Sequence, residues 1–348
     1  MSGLSGHFIL TGFSHPAIIH RFYTERQLMN LKPDEGDFKD ARKSIQGLVH
    51  QTPLLSSRSL RNRTGLHVWL KAENLQKTGS FKVRGAFNKA LHLSELERQR
   101  GIVTASAGNH GQAVAFVAAH LNIPGYVVMP EGANRSKVAA VKEYGAHAVL
   151  HGSLWDDAYQ RSLELAQERG LAYVHPFKDR HIMAGQGTIA LEIVEELPDV
   201  EAVILPIGGG GLISGTATAL KAIRRRMRVI GVEPVGSANM SASRRKGIPT
   251  DLDTVATIAD GLATKHTDPE VFELIDQFVD DLVTVTDEEI LQGIRFLLER
   301  AKLLAEPAGA ATTAALLAGK VALREDTVTV AVISGGNFDV EGRLQLGY

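Results

Sequence analysis

The sequence predicts an α/β protein of two lobes, each with a largely parallel, twisted sheet flanked by helices, and a ligand cleft between them. Three observations predict this. Apolar strand-like runs alternate with helical stretches over most of the chain, and they are continuously apolar, as in parallel strands buried on both faces. They are more numerous than one open sheet needs. Glycine-rich segments close three of them, at the strand ends where open α/β sheets hold ligands.

The first 36 residues carry Gly, Ser, Pro and scattered aromatics without a period, and 1–36 reads as an N-terminal extension. A helix is expected over 37–48, with Phe38, Ala41, Ile45 and Leu48 on one face and Asp37 as its N-cap. Gln51-Thr52-Pro53 stops it, because proline disfavours helix in the residue before it. Strands are expected at 67–71, 102–105, 126–129, 148–150, 173–175, 202–205 and 229–232. Helices are expected between them at 83–93, 111–120, 136–144, 155–168, 187–197 and 212–223. The last third adds a strand at 282–285, then a helix opened by a capping box of Thr286 and Glu289. A further helix starts near Pro307, and a final strand is expected at 328–333. The expected division is a large domain from 37–97 and 179–348 and a small domain from 98–178.

Composition excludes several function classes. The chain has 348 residues, 44% hydrophobic and 22% charged, which is the balance of a globular protein. A net charge of -1 argues against nucleic-acid binding, which needs an excess of Lys and Arg. The run Arg224-Arg225-Arg226 reads as a solvated helix end. Without cysteine there are no disulfides, thiolate metal sites or cysteine nucleophile. No apolar run approaches the ~20 residues that span a bilayer. Phe8-Ile9-Leu10 has no basic residue before it and no long apolar region, so no signal peptide is read and a cytoplasmic protein without a membrane partner is expected.

The chemistry gathers around Thr78-Gly79-Ser80-Phe81-Lys82-Val83-Arg84-Gly85. An amine on a flexible stem condenses with an aldehyde if it is held neutral, and burial does that. By itself Lys82 reads as an ordinary lysine at a helix start. Pro206-Ile207-Gly208-Gly209-Gly210-Gly211-Leu212 joins a strand to a helix, and a phosphate suits its exposed N–H groups and the helix end. A tight turn that binds nothing is the plain alternative. A dinucleotide fingerprint is the sharper competitor, with Glu233 as its ribose-binding acid, but its third glycine would fall at Ser214. No Walker lysine follows the glycines.

Two more segments close strands. In Ser106-Ala107-Gly108-Asn109-His110 the backbone and the Ser106 hydroxyl suit a carboxylate, while the Asn109 amide suits a ring hydroxyl. An N-cap turn is the plain reading. His110 reads either as a proton shuttle or as a hydrogen-bonded supporting residue. In Ile333-Ser334-Gly335-Gly336-Asn337 the serine suits a neutral ring nitrogen, or simply ends a strand. Neither serine is a hydrolase elbow, since Thr104 and Val332 stand where glycine is required. No dense ligand spacing for a catalytic zinc appears.

Together these motifs resemble the fold type II pyridoxal-phosphate enzymes. Ser80-Phe81-Lys82-Val83-Arg84-Gly85 with Ser106-Ala107-Gly108-Asn109-His110 is similar to the threonine/serine dehydratase and serine racemase branch, over about residues 37 to 340. The resemblance implies that Lys82 forms the Schiff base, Phe81 packs on the pyridine ring and Asn109 bonds its 3-hydroxyl. It implies that Gly208, Gly209, Gly210, Gly211 and Leu212 hold the phosphate and that Ser334 meets the ring nitrogen. Ser106, Ala107, Asn109 and His110 then receive the substrate carboxylate. The freed Lys82 amine takes the Cα proton, and β-elimination releases a 2-oxo acid and ammonia.

Two departures shape the expectation. Ala107 stands where racemases carry a second serine, and a methyl group donates no proton, so dehydration is favoured over racemisation. Some relatives hold a divalent cation, Mg or Ca, beside the strand after the glycines. Glu233 and the Ser237 carbonyl match that site, but Asn239 replaces an acid, and the plain reading of Glu233 is a strand-end acid bonded to nearby backbone. The chain stops shortly after Asp339, which resembles the short, catabolic type of threonine dehydratase without a regulatory domain. L-threonine or L-serine is the leading substrate. A serine racemase, a 3-hydroxyaspartate dehydratase or a dehydratase for a bulkier 3-hydroxy amino acid are the alternatives. An NAD-dependent oxidoreductase is the competing class, and it leaves Lys82 and Asn109 without a role. A catalytically idle cofactor-binding protein is the third. A homodimer or homotetramer is expected from the resemblance.

Overall fold

The computed structural model describes residues 30–338, so most of the expected extension, with Phe8-Ile9-Leu10, lies outside the described residues. The strands run in chain order as β1 (Leu54–Ser56), β2 (His67–Ala72), β3 (Ile102–Ala105), β4 (Gly125–Met129), β5 (His147–Leu150), β6 (Ala172–Tyr173), β7 (Ala202–Pro206), β8 (Arg228–Pro234), β9 (Asp281–Val285) and β10 (Val328–Ile333). They form two sheets. The six-stranded sheet has the order β1-β2-β10-β7-β8-β9 and the four-stranded sheet the order β5-β4-β3-β6. All pairings are parallel except the edge pair β1–β2, where Leu55 stands opposite Leu70.

The larger sheet is covered on both faces, because successive side chains of a strand point to opposite sides. Val203 and Leu205 of β7, with Val330 and Val332 of β10, enter one hydrophobic core. Ile204, Ala331 and Ile333 enter the other. This is why the strands read as continuous apolar runs with no alternation. Helix Arg180–Glu196 packs against Gly211–Ile223 and against Lys82–Leu91, so the lysine stretch is mounted on the large sheet.

The local expectations hold except at element ends. The helix expected at 37–48 is Glu35–Ile45, and its N-cap is Asp34, not Asp37. Asp34 Oδ1 accepts from Asp37 N at 3.1 Å and Asp37 Oδ2 accepts from Asp34 N at 2.7 Å, so Asp37 is the reciprocal partner of a capping box. The helix expected at 187–197 starts earlier, at Arg180, because Asp179 Oδ1 accepts from His181 N and Ile182 N. Strand β1 and the helices Arg58–Thr64, Glu95–Arg100, Asn239–Lys246 and Pro269–Phe278 were not expected. The Thr286–Glu289 capping box is present, opening helix Asp287–Phe296. Among the described residues no helix is long and apolar enough to cross a membrane.

Candidate active site

Parallel strands end together, and the loops that follow β3, β7 and β10 meet beyond their carboxyl ends. The lysine stretch is tied to the last of these loops by backbone hydrogen bonds. Phe81 N donates to Ser334 O at 3.1 Å, and Gly336 N donates to Gly79 O at 2.8 Å. Two segments far apart in sequence thereby become one wall. They enclose a cavity of about 760 Å³. Phe81, Lys82 and Ser334 line that wall, and Ser106, Ala107, Asn109 and His110 line a second side. Gly208, Gly209, Gly210, Gly211 and Leu212 line a third.

The loops after β3 and β7 each open a helix, and each leaves N–H groups without helical partners. The first i→i−4 bond after the glycine run is Ser214 N to Gly210 O, so the N–H groups of Gly211, Leu212 and Ile213 precede it. Gly210 has φ +89°, a conformation that glycine adopts without strain. In the loop after β3, Gln112 N donates to Gly108 O, which leaves the N–H groups of Asn109, His110 and Gly111 upstream. The Ser106 hydroxyl accepts from Gly108 N at 3.2 Å, so this serine shapes the loop. The cavity thus carries two cradles of donors at positive helix ends, suited to two anions.

Lys82 opens helix Lys82–Leu91, and its Nζ donates to Pro176 O at 2.8 Å. Burial lowers its pKa to about 8, and Glu306 opposes that shift. The ammonium also stands 5.2 Å from the centre of the Phe81 ring. His110 is buried and lowered to about 3, by desolvation and then by Lys82. Its Nε2 lies 2.9 Å from Val174 O, and a carbonyl only accepts, so Nε2 carries the proton of a neutral imidazole. Of the two readings of His110, this geometry matches the supporting residue. His175 is likewise lowered to about 4 by burial, and its Nδ1 accepts from Phe177 N and Lys178 N.

Two features escaped the sequence reading. Glu306 lines the cavity and accepts from Asn109 Nδ2 at 2.6 Å. Burial raises its carboxyl to about 7. It occupies the N-cap position of helix Pro307–Leu317 without making a capping bond, and a glutamate there instead of Ser, Thr or Asp was the available signal. The second is Arg84, two residues after Lys82, which is fully buried. It donates to Glu73 through Nε and Nη2 at 2.8 Å each, and to Glu192 at 2.6 Å and 2.8 Å. Lys71 Nζ adds a 2.7 Å pair to Glu192. Desolvation pushes the Glu73 carboxyl up most, but the charge and hydrogen bonds of Arg84, with Lys71 and Thr52, together outweigh it and hold it below the usual range. No sequence signal marks this cluster beyond charged residues in apolar surroundings.

The expected cation ligands do not line the cavity. Glu233 is buried, with Oε1 accepting from Met240 N and Oε2 from Ser241 N, both at 2.8 Å, and its burial raises its pKa. Its carboxylate serves the N-terminus of helix Asn239–Lys246, where an acid is favoured. The Ser237 hydroxyl donates to Leu262 O at 2.9 Å. Asn239 donates to His266 O and Thr267 Oγ1. Among the described residues no group of three or more His, Cys, Asp or Glu could hold a metal ion. These contacts lend no support to a divalent cation at Glu233, whose carboxylate already has its partners in the protein.

The sequence matches a family model described as pyridoxal-phosphate dependent enzyme over residues 45–335. It is 48% identical over 304 residues to an L-threonine ammonia-lyase of Thermotoga maritima, covering 87% of this chain and 75% of that protein. It is 43% identical over 305 residues to the catabolic L-threonine dehydratase TdcB of Escherichia coli, covering 87% of this chain and 93% of that one. Among solved structures it resembles maize serine racemase, with TM-score 0.86, 34% identity, and coverage of 90% of this chain and 96% of that one. The processed form of threonine deaminase isoform 2 from Solanum lycopersicum follows at TM-score 0.83 and 34% identity, covering 91% and 94%.

Proposed function

The chain belongs to the pyridoxal-phosphate dependent enzyme family, and on that footing we propose that it is an ammonia-lyase that converts a β-hydroxy amino acid, L-threonine or L-serine, to a 2-oxo acid and ammonia. The observation that carries this reading is one cavity lined by Lys82 and by two loops whose first N–H groups precede the helical hydrogen bonds. One suits a phosphate and the other a carboxylate. The relatives named threonine ammonia-lyase and threonine dehydratase support the substrate class.

In this reading the N–H groups from Gly208 to Leu212 hold the cofactor phosphate, Asn109 and Ser334 hold its ring, and Phe81 packs beside it. When bound, pyridoxal 5'-phosphate supplies the electron sink for charge leaving the substrate Cα. The chain supplies the rest. The loop Ser106–Ala107–Gly108–Asn109–His110 receives the carboxylate and fixes the amino acid in place. The Lys82 amine takes the Cα proton, and its lowered pKa keeps a usable neutral fraction near pH 7. The Ser334 hydroxyl donates to or accepts from the ring nitrogen without carrying a charge, which suits prompt elimination. Neutral His110 holds Val174 O and moves no proton. The proposal includes residues 98–178 as a small domain around the four-stranded sheet, and a cytoplasmic homodimer or homotetramer, which sedimentation tests.

The experiment is an ammonia-release screen of the cofactor-loaded protein over serine, threonine, 3-hydroxyaspartate and 3-phenylserine in both configurations. Release from L-threonine or L-serine is expected. Release from none of them would sink the proposal. The likeness to maize serine racemase fits an alternative, not favoured here, in which the same cavity returns the proton to the opposite face. Ala107 lines the cavity at the matching position and has no proton to give.

A further inference from the structure

The hydrogen bonds around Asn109 allow only one polarity. Asn337 Nδ2 donates to Thr78 O and to Asn109 Oδ1, each at 2.8 Å. An amide nitrogen has two hydrogens, so both are used. Asn109 Oδ1 is therefore an acceptor, and Asn109 Nδ2 is the atom turned to Glu306 Oε1 at 2.6 Å. The second hydrogen of that nitrogen is left for the cavity. Gly335 provides the niche in which this happens. A Cβ there would collide with Glu306 Oε1 and stand 3.2 Å from Asn109 Nδ2.

We propose that Glu306 is a positioning residue that, with Asn337, turns the Asn109 amide so that the ring hydroxyl of the cofactor meets an N–H donor and is held in its ionised, accepting form. This rests on the reading that the cavity takes pyridoxal phosphate. Had the amide been reversed, Asn109 would present a carbonyl and favour the neutral hydroxyl. The groups facing Glu306 are Asn109, Lys137, Asp260 and Lys82. Burial raises the carboxyl most, Asp260 adds to that, and Asn109, Lys137 and Lys82 oppose it, leaving it at about 7. Either protonation state keeps an oxygen to accept from Asn109. The charged state accepts about twice as strongly, so the hold on Asn109 weakens as pH falls.

The test is the absorbance of the cofactor-loaded protein. The lysine-bound cofactor absorbs in the visible when its ring oxygen is ionised, and in the near ultraviolet when the hydroxyl is neutral. The wild-type visible band is expected to change amplitude with pH where the Glu306 carboxyl ionises. E306Q keeps an accepting oxygen, so it retains the band and loses that pH course. E306A moves most of the band to the near ultraviolet and binds cofactor about tenfold more weakly in a fluorescence titration. Wild-type spectra and pH course in E306A overturn the proposal, as does an E306Q spectrum equal to that of E306A. If E306A does not fold, the pH course of the near-isosteric E306Q decides alone. A wild-type protein that takes up no cofactor fails the family reading itself, a result distinct from altered bands in the variants.

Discussion

Gly211 packs so closely on Phe177 that a Cβ built on the glycine would stand 2.8 Å from both the Cα and the Cβ of the phenylalanine. Gly209 meets the ring of the same residue. The glycine run is therefore required by a protein contact as well as by its open N–H groups. Phe177 follows Pro176, whose carbonyl accepts from Lys82, so this contact also borders the lysine.

Replacing either glycine by alanine should strain the cavity before any ligand is bound. Gly209→Ala and Gly211→Ala are expected to lower the stability of the cofactor-free protein by about 1–3 kcal/mol, as overpacking does. The urea midpoint measures this. An unchanged midpoint would mean that Phe177 moves aside freely.

The Lys82 amine should react as a nucleophile at lower pH than an ordinary lysine. Only the neutral amine attacks an aldehyde, and lowering the pKa enlarges that fraction at any pH below it. With a value of about 8, the rate of cofactor uptake should rise with pH and level off above about 8. At pH 7 roughly a tenth of the amine is neutral, against far less than a hundredth for an unperturbed lysine. Stopped-flow absorbance across this range tests it. A rate still rising steeply above pH 9 would contradict the shift.

Arg84 should matter for folding. It is fully buried between Glu73 and Glu192, and removing it leaves two carboxylates in the interior without their main partner. Arg84→Met is expected to destabilise by about 3–5 kcal/mol, the usual cost of breaking a buried pair from one side. Arg84→Lys should recover only part of this, because an ammonium cannot meet two carboxylates bidentately. Chemical denaturation of the cofactor-free variants reads both.

Proton return should be one-sided. With L-serine the unmodified protein is expected to release ammonia with little D-serine, and Ala107→Ser should raise the D-serine fraction. Chiral chromatography of the reaction decides. Abundant D-serine from the unmodified chain would refute the argument from the missing hydroxyl.

Much of the architecture was legible because parallel strands buried on both faces leave continuous apolar runs, and β7 and β10 do so residue by residue. The glycine-rich segments at strand ends were legible for a related reason, since a loop between a buried strand and a helix needs unusual backbone freedom at Gly210. Asp34 was missed as a cap because Asp37 fits the same composition rule, and only the hydrogen-bond geometry separates them. For Glu233 the sequence left two readings open, a cation ligand or an acid bonded to nearby backbone, and the backbone bonds are present. A strand-end acid looks the same whether it awaits a cation or caps the next helix.

The sequence by itself determined the two-sheet α/β plan, the lysine and the three loops around it, because each is written in a local period or a local cluster of residue types. Only the tertiary structure decided what those residues touch. Asn109 and Glu306 lie 197 positions apart, as Arg84 and Glu192 lie 108 apart, and each pair is made by strands and helices brought together in space. A carboxylate beside an amide has no local signature. Its burial, its partner and hence its proton depend on which elements close over it, and that is a property of packing.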